Sequence, residues 1–92
     1  MIVRIVKMSF EPDKLQDFLH LFNERKTQIR GFEGCRHLEL WQDAHDENIC
    51  FTYSIWKSEQ HLDHYRFSPL FKDTWTKTKL FFNAKAMAWS VI

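Results

Sequence analysis

The chain predicts an α+β fold: a four-stranded antiparallel sheet with helices on one face, in the order β-α-β-β-α-β. Three observations carry this. Two apolar-rich runs, Cys35–Gln42 and Ile49–Trp56, flank the polar stretch Asp43-Ala44-His45-Asp46-Glu47-Asn48, the pattern of a hairpin with an exposed loop. Helical periodicity precedes the hairpin and follows it. Strand-like runs stand at both ends of the chain.

Ile2 to Phe10 reads as the first strand, with Val3 and Ile5 on one side and Val6, Met8 and Phe10 on the other. A strand apolar on both sides is covered on both sides. Glu11-Pro12-Asp13 supplies a turn and an acidic helix start. Leu15, Phe18, Leu19, Phe22 and Ile29 then follow at helical spacing, predicting a helix from about Pro12 to Arg30. Gly31 is the expected left-handed cap, and the corner Gly31-Phe32-Glu33-Gly34 holds both glycines. After the hairpin, Ser58 is placed to cap a short helix, and Ser68-Pro69 to open another. Phe71, Trp75 and Phe82 lie along the buried side of the latter. Ala84–Ile92 closes the chain as a strand with Met87, Trp89 and Val91 on one side and small residues on the other. The order is the ferredoxin-like arrangement.

A loop-symmetric hairpin sets the expected faces. Paired numbers then sum to about 91, so Cys50 meets Trp41, Glu39 meets Thr52, His37 meets Ser54 and Cys35 meets Trp56, all on one side. The other side carries Leu38, Leu40, Ile49, Phe51, Tyr53 and Ile55. One face is plainly apolar and the other is mixed, with two Trp among polar groups, so both require cover. Helices cover one; a second copy of the chain is the expected cover for the other, predicting a homodimer through the sheet face. The same register separates Cys35 from Cys50 by about 20 Å, which predicts two free thiols.

Composition narrows the function classes. The 92 residues are 45% hydrophobic and 16% aromatic, which excludes disorder, and form one expected domain, 1–92. Thirteen Lys and Arg against twelve Asp and Glu leave a net charge of +1, so neither nucleic acid nor a membrane surface is an expected partner. The first residues lack the long apolar region of a signal peptide, and the expected location is cytoplasmic. Two glycines cannot form a dinucleotide fingerprint or a phosphate loop. His61 and His64 share a helical spacing that can hold a metal, but a third ligand is not evident, so no metal is expected.

The segment Ser54-Ile55-Trp56-Lys57-Ser58-Glu59-Gln60-His61-Leu62, followed by Ser68-Pro69-Leu70-Phe71, resembles the antibiotic-biosynthesis monooxygenase family. The Gly31-Phe32-Glu33-Gly34-Cys35 corner and the final strand fit the same family, so the resemblance spans essentially the whole chain. It implies a dimeric α/β barrel with a pocket between sheet and helices in each subunit. The implied chemistry needs no cofactor: an electron-rich phenol, anthrone or quinol loses a proton in a mostly apolar pocket, and its anion reacts with O₂. The strand-end Trp of related enzymes faces the pocket. That places Trp56, Ser54 and Thr52 inside, with His37, Glu39 and Trp41 beside them, and turns Leu38, Leu40, Phe51, Tyr53 and Ile55 toward the partner subunit. Periodicity alone leaves the opposite orientation open.

On this reading His37 or His64 removes the proton, Tyr65 or Trp56 hydrogen-bonds a substrate oxygen, and Trp41 and Trp75 pack against the ring. Thr52 and Ser54 complete the substrate-binding set. The chain departs from its relatives in having Thr52 where some quinone-forming members have Asn. It also lacks the first-strand Asn of haem-degrading members, and Tyr65 and Trp75 stand where those carry Trp and His. Haem degradation is therefore disfavoured, and the alternative is a non-catalytic ligand-binding or assembly domain.

Overall fold

The computed structural model describes residues 1–92. Four strands, β1 (Ile2–Ser9), β2 (Cys35–Gln42), β3 (Ile49–Trp56) and β4 (Met87–Val91), form one sheet in the order β2-β3-β1-β4, with every neighbouring pair antiparallel. Three helices, α1 (Leu15–Arg30), α2 (Glu59–Arg66) and α3 (Pro69–Lys79), complete the β-α-β-β-α-β layout, the second helical segment being broken in two. The ferredoxin-like expectation holds. No helix is long and apolar enough to cross a membrane.

Local chemistry explains the boundaries. Pro12 opens a 3-10 turn, Pro12–Lys14, that leads into α1. Ser58 Oγ accepts the His61 backbone N–H at 3.2 Å and Ser68 Oγ accepts that of Phe71 at 3.1 Å, so each short helix carries the predicted cap. Phe10 falls just outside β1 and bridges to Phe82, and β4 is shorter than its apolar pattern suggests. Gly31 corrects the expected left-handed cap: its φ is −83°, an ordinary right-handed value. The left-handed residue is Gly34, at φ +88°.

The hairpin register departs from the symmetric expectation by one residue. Asp43 N–H bonds Ile49 O at 2.8 Å, and the Asp43 carboxylate accepts from the backbone N–H groups of His45 and Asp46. This turn closes the loop between Asp43 and Ile49, so Gln42 pairs with Cys50, Leu40 with Thr52 and Leu38 with Ser54. A one-residue slip turns every side chain of a strand to the other face. Leu38 and Leu40 therefore lie on the helix side with Thr52, Ser54 and Trp56, while His37, Glu39 and Trp41 lie on the opposite side with Ile55, Tyr53 and Phe51. A bulge between Cys35 and His37 then absorbs one residue and returns Cys35 to its predicted partner, Trp56.

The core lies between sheet and helices. Met8, Phe10, Leu15, Phe18 and Cys50 form one cluster, and Ile2, Cys35, Trp56 and Leu62 a second beneath α2. Both cysteines are free, as expected; both are also buried, which pushes their thiols above the usual range. The opposite face has no helix over it. Trp41 and Trp89 are each 41% exposed there and Met87 52%, beside the half-buried Val3, Ile5, Phe51, Tyr53 and Ile55.

Candidate functional site

A cavity of about 100 Å³ lies between the inner sheet face and the three helices. Its floor comes from Val6 and Met8 on β1, Thr52, Ser54 and Trp56 on β3, and Leu38 on β2. Phe18 and Phe22 of α1, Leu62 and Tyr65 of α2, and Phe71 and Trp75 of α3 form the walls. Rings meet one another around it. Trp56 stacks on Tyr65 at 4.8 Å, Tyr65 meets Phe71 edge-on at 5.3 Å, and Phe71 lies parallel to Trp75 at 5.8 Å. Offset and edge-to-face pairs of this kind hold ring orientations as well as burying area. An apolar cavity of roughly 150 Å³ takes a benzene ring, so the enclosed space suits at most one ring, with substituents toward the mouth.

Trp56 is fixed from below. Its indole Nε1 donates to Ser54 Oγ at 3.0 Å, and Ser54 Oγ donates to the Arg4 carbonyl at 3.5 Å. The ring is 1% exposed. Above it, burial holds the Tyr65 phenol protonated well beyond the ordinary tyrosine range. Such a hydroxyl donates hydrogen bonds and does not act as a base near neutrality. Neither histidine nor carboxylate lines the cavity.

Its charged lining groups are Arg4 and Arg66. Arg4 projects from β1 on the cavity side, and its guanidinium donates to Ser90 Oγ of β4 at 2.9 Å. Arg66, the last residue of α2, is the exposed lining residue and so marks the mouth. Asp63 Oδ1 lies 3.8 Å from its Nη1.

The cavity thus gathers Trp56, Tyr65, Thr52, Ser54 and Trp75 of the predicted set. It does not gather the other three. His37 and Trp41 stand on the far side of the sheet, because the loop turn shifts the register. There His37 Nε2 and Trp41 Nε1 both bond the Glu39 carboxylate, and Trp41 stacks on Tyr53 at 4.8 Å. His64 lies on the exposed side of α2 with its ring edge-on to Phe32, outside the cavity. His61 serves the α2 cap, its Nδ1 lying 2.6 Å from Ser58 Oγ. Sequence reasoning missed the two arginines. The available signal was Arg4 itself, a cation among Ile and Val in a strand apolar on both sides and on the same side as Val6 and Met8.

The family model described as antibiotic biosynthesis monooxygenase matches residues 1–77. No curated protein matches the chain in sequence. Among solved structures, a conserved protein from Methanosarcina mazei Go1 superposes with a TM-score of 0.92 at 23% identity, over 99% of this chain and 91% of that one. A structure described as an antibiotic biosynthesis monooxygenase gives 0.93 at 16% identity, over 100% and 97%. A Mycobacterium tuberculosis protein gives 0.90 at 20%, over 99% and 92%. At these identities the structural likeness is one of fold; with a family match over most of its length, the chain belongs to the antibiotic biosynthesis monooxygenase family.

Proposed function

We propose that the protein is a cofactor-independent monooxygenase that oxidises a small, electron-rich, single-ring phenol or quinol with O₂. The observation that carries this is the cavity walled by the stacked Trp56 and Tyr65 rings, with Phe71 and Trp75 beside them. The substrate ring lies against Trp75, in a space from which water is largely excluded. Tyr65 donates a hydrogen bond to the substrate oxygen. Thr52 offers a second hydroxyl, and Ser54 holds the Trp56 indole in place. The phenolate reacts with O₂ at a ring carbon. One oxygen atom stays on that carbon as a carbonyl, the carbon's hydrogen is lost as a proton, and the other oxygen leaves as water.

With no His, Asp or Glu in the lining, the substrate enters as its anion or passes its proton to water at the mouth. The same observation favours a second reading, a ligand-binding domain without turnover. The proposal extends to a homodimer built through the open sheet face, supported by the Trp41, Tyr53 and Trp89 rings gathered there. A dimer seam of the standard ~1,600 Å² is enough to cover such a face.

The test is O₂ uptake and quinone formation across a panel of monocyclic phenols and hydroquinones. Turnover is expected to fall at least tenfold in Tyr65→Phe and Trp56→Phe, with folding checked by circular dichroism. Ligand-induced thermal shifts without O₂ uptake on any member would support the binding domain instead. Turnover unchanged in both variants would refute the assigned roles.

A further inference from the structure

We infer that the mouth of the cavity is an anion site, in which Arg4 and Arg66 together hold the carboxylate of a monocyclic aromatic acid whose ring lies against Trp56 and Trp75. The inference deepens the proposed function, resting on the same cavity, and names the class of molecule it takes. Arg4 forms no ion pair with a carboxylate of the protein. Its one side-chain hydrogen bond goes to the neutral hydroxyl of Ser90, which leaves most of the donors of a planar, five-donor guanidinium free. Asp63, the acidic group beside the pair, lies 3.8 Å from Arg66 on the exposed surface of α2. One carboxylate, paired with Arg66 alone, thus stands beside two cations, and the mouth keeps a net positive charge.

The electrostatics agree. Arg4 is shifted below the ordinary arginine range, first by desolvation and then by the like charge of Arg66, with Asp63 opposing more weakly. A guanidinium partly stripped of water beside a second cation gains most from an incoming anion. The rest of the lining is largely apolar, so the site contrasts a ring-sized space with a charged rim. Small-molecule sites combine just these features, an apolar wall and a few convergent polar groups. Register places Arg4 opposite Ser54, on the same face as Trp56 two residues further along β3, and its guanidinium reaches toward Ser90 on the β4 side of the opening. The Arg fork matches a carboxylate with two parallel hydrogen bonds.

The test compares 4-hydroxybenzoate with its neutral amide, followed by quenching of tryptophan fluorescence at pH 7 and low salt. The acid is expected to bind at least tenfold more tightly. Arg4→Met and the exposed Arg66→Gln are each expected to abolish that preference while leaving the affinity for the amide within about twofold. Arg66→Gln keeps the test valid should Arg4→Met fold poorly. Equal affinities for acid and amide in the parent, or a preference preserved in both variants, overturn the inference, as does failure of the acid to bind. Because binding is read without O₂, a tightly bound acid that is never oxidised refutes the proposed reaction and sustains the anion site. Oxidation of neutral quinols with no preference for the acid does the reverse.

Discussion

Replacing Gly34 with alanine tests the corner that seats α2 over the cavity. Gly34 has φ +88°, and a Cβ built there lies 2.5 Å from Cβ, Cγ and Cδ2 of His61. Forcing an L-residue into this region costs roughly 1–2 kcal/mol. The clash is with the root of a side chain on the first turn of α2, so the helix itself has to move. Overpacking of this sort costs about 1–3 kcal/mol. Displacing His61 also endangers its cap bond to Ser58, worth on the order of 1 kcal/mol. These terms overlap, and a total of about 3 kcal/mol is expected. For a domain of this size that is a fall in Tm of roughly 12–24 °C. Gly31 is the control. Its φ of −83° suits any residue, and a Cβ there meets Thr27 O tightly, at 3.2 Å, and Gln28 O at an ordinary 3.9 Å. The unfolded-state gain of a compatible Gly→Ala, about 0.4–1 kcal/mol, roughly offsets that tight contact. Urea unfolding of both variants at one protomer concentration reads the difference. Were Gly34→Ala within about 0.5 kcal/mol of the parent, or Gly31→Ala the more damaging, the assignment of the strained glycine would be wrong.

Ile5→Glu places a charge in the middle of the open sheet face; sedimentation is expected to show the parent at twice 11.2 kDa and the variant at the single-chain mass, and a monomeric parent removes the proposed seam. Tyr65 has a raised folded pKa, so its contribution to stability is fully present below the unfolded value near 10 and is lost as pH rises above it. Alkaline unfolding followed at 295 nm is expected to come later in Tyr65→Phe, and coincident curves would contradict the buried phenol. Glu39 is held below its usual range by the Trp41 indole N–H and then by His37, so its small contribution is present above the unfolded pKa near 4.3 and fades as pH falls through the lowered folded value. Glu39→Gln should flatten the acid limb of a stability-against-pH curve, and an unchanged limb would deny the interaction.

Element order was legible because each signal is local. The two serine caps, the Pro12 turn and the period-2 runs act over four or five residues, and the bounds of β2 and β3 match their apolar patterns. The half of the site on β3, α2 and α3 was legible for a related reason. Trp56, Ser54 and Thr52 alternate on one strand, so placing Trp56 places the others. Arg4 and Arg66 were not legible. A cation in a strand and another at a helix end look like ordinary solvated charges until the fold brings both to one opening.

Which face β2 presents was decided by something smaller still. Its own alternation, Leu38 and Leu40 against His37, Glu39 and Trp41, states that two aliphatic residues share one side. It does not state which side of β3 they join, because β3 is apolar on one face and carries Trp56 and Cys50 on the other. Loop symmetry chose wrongly. The Asp43 carboxylate, bound to the N–H groups of His45 and Asp46, closes the turn one residue later than the apolar runs suggest. That turn moves His37 out of the cavity, leaving its lining without a histidine or carboxylate and with only arginines for charge. An Asx turn in an exposed loop therefore sets the chemistry available some 20 Å along the hairpin. It makes a site that receives anions a better reading of this fold than one that creates them with a histidine base.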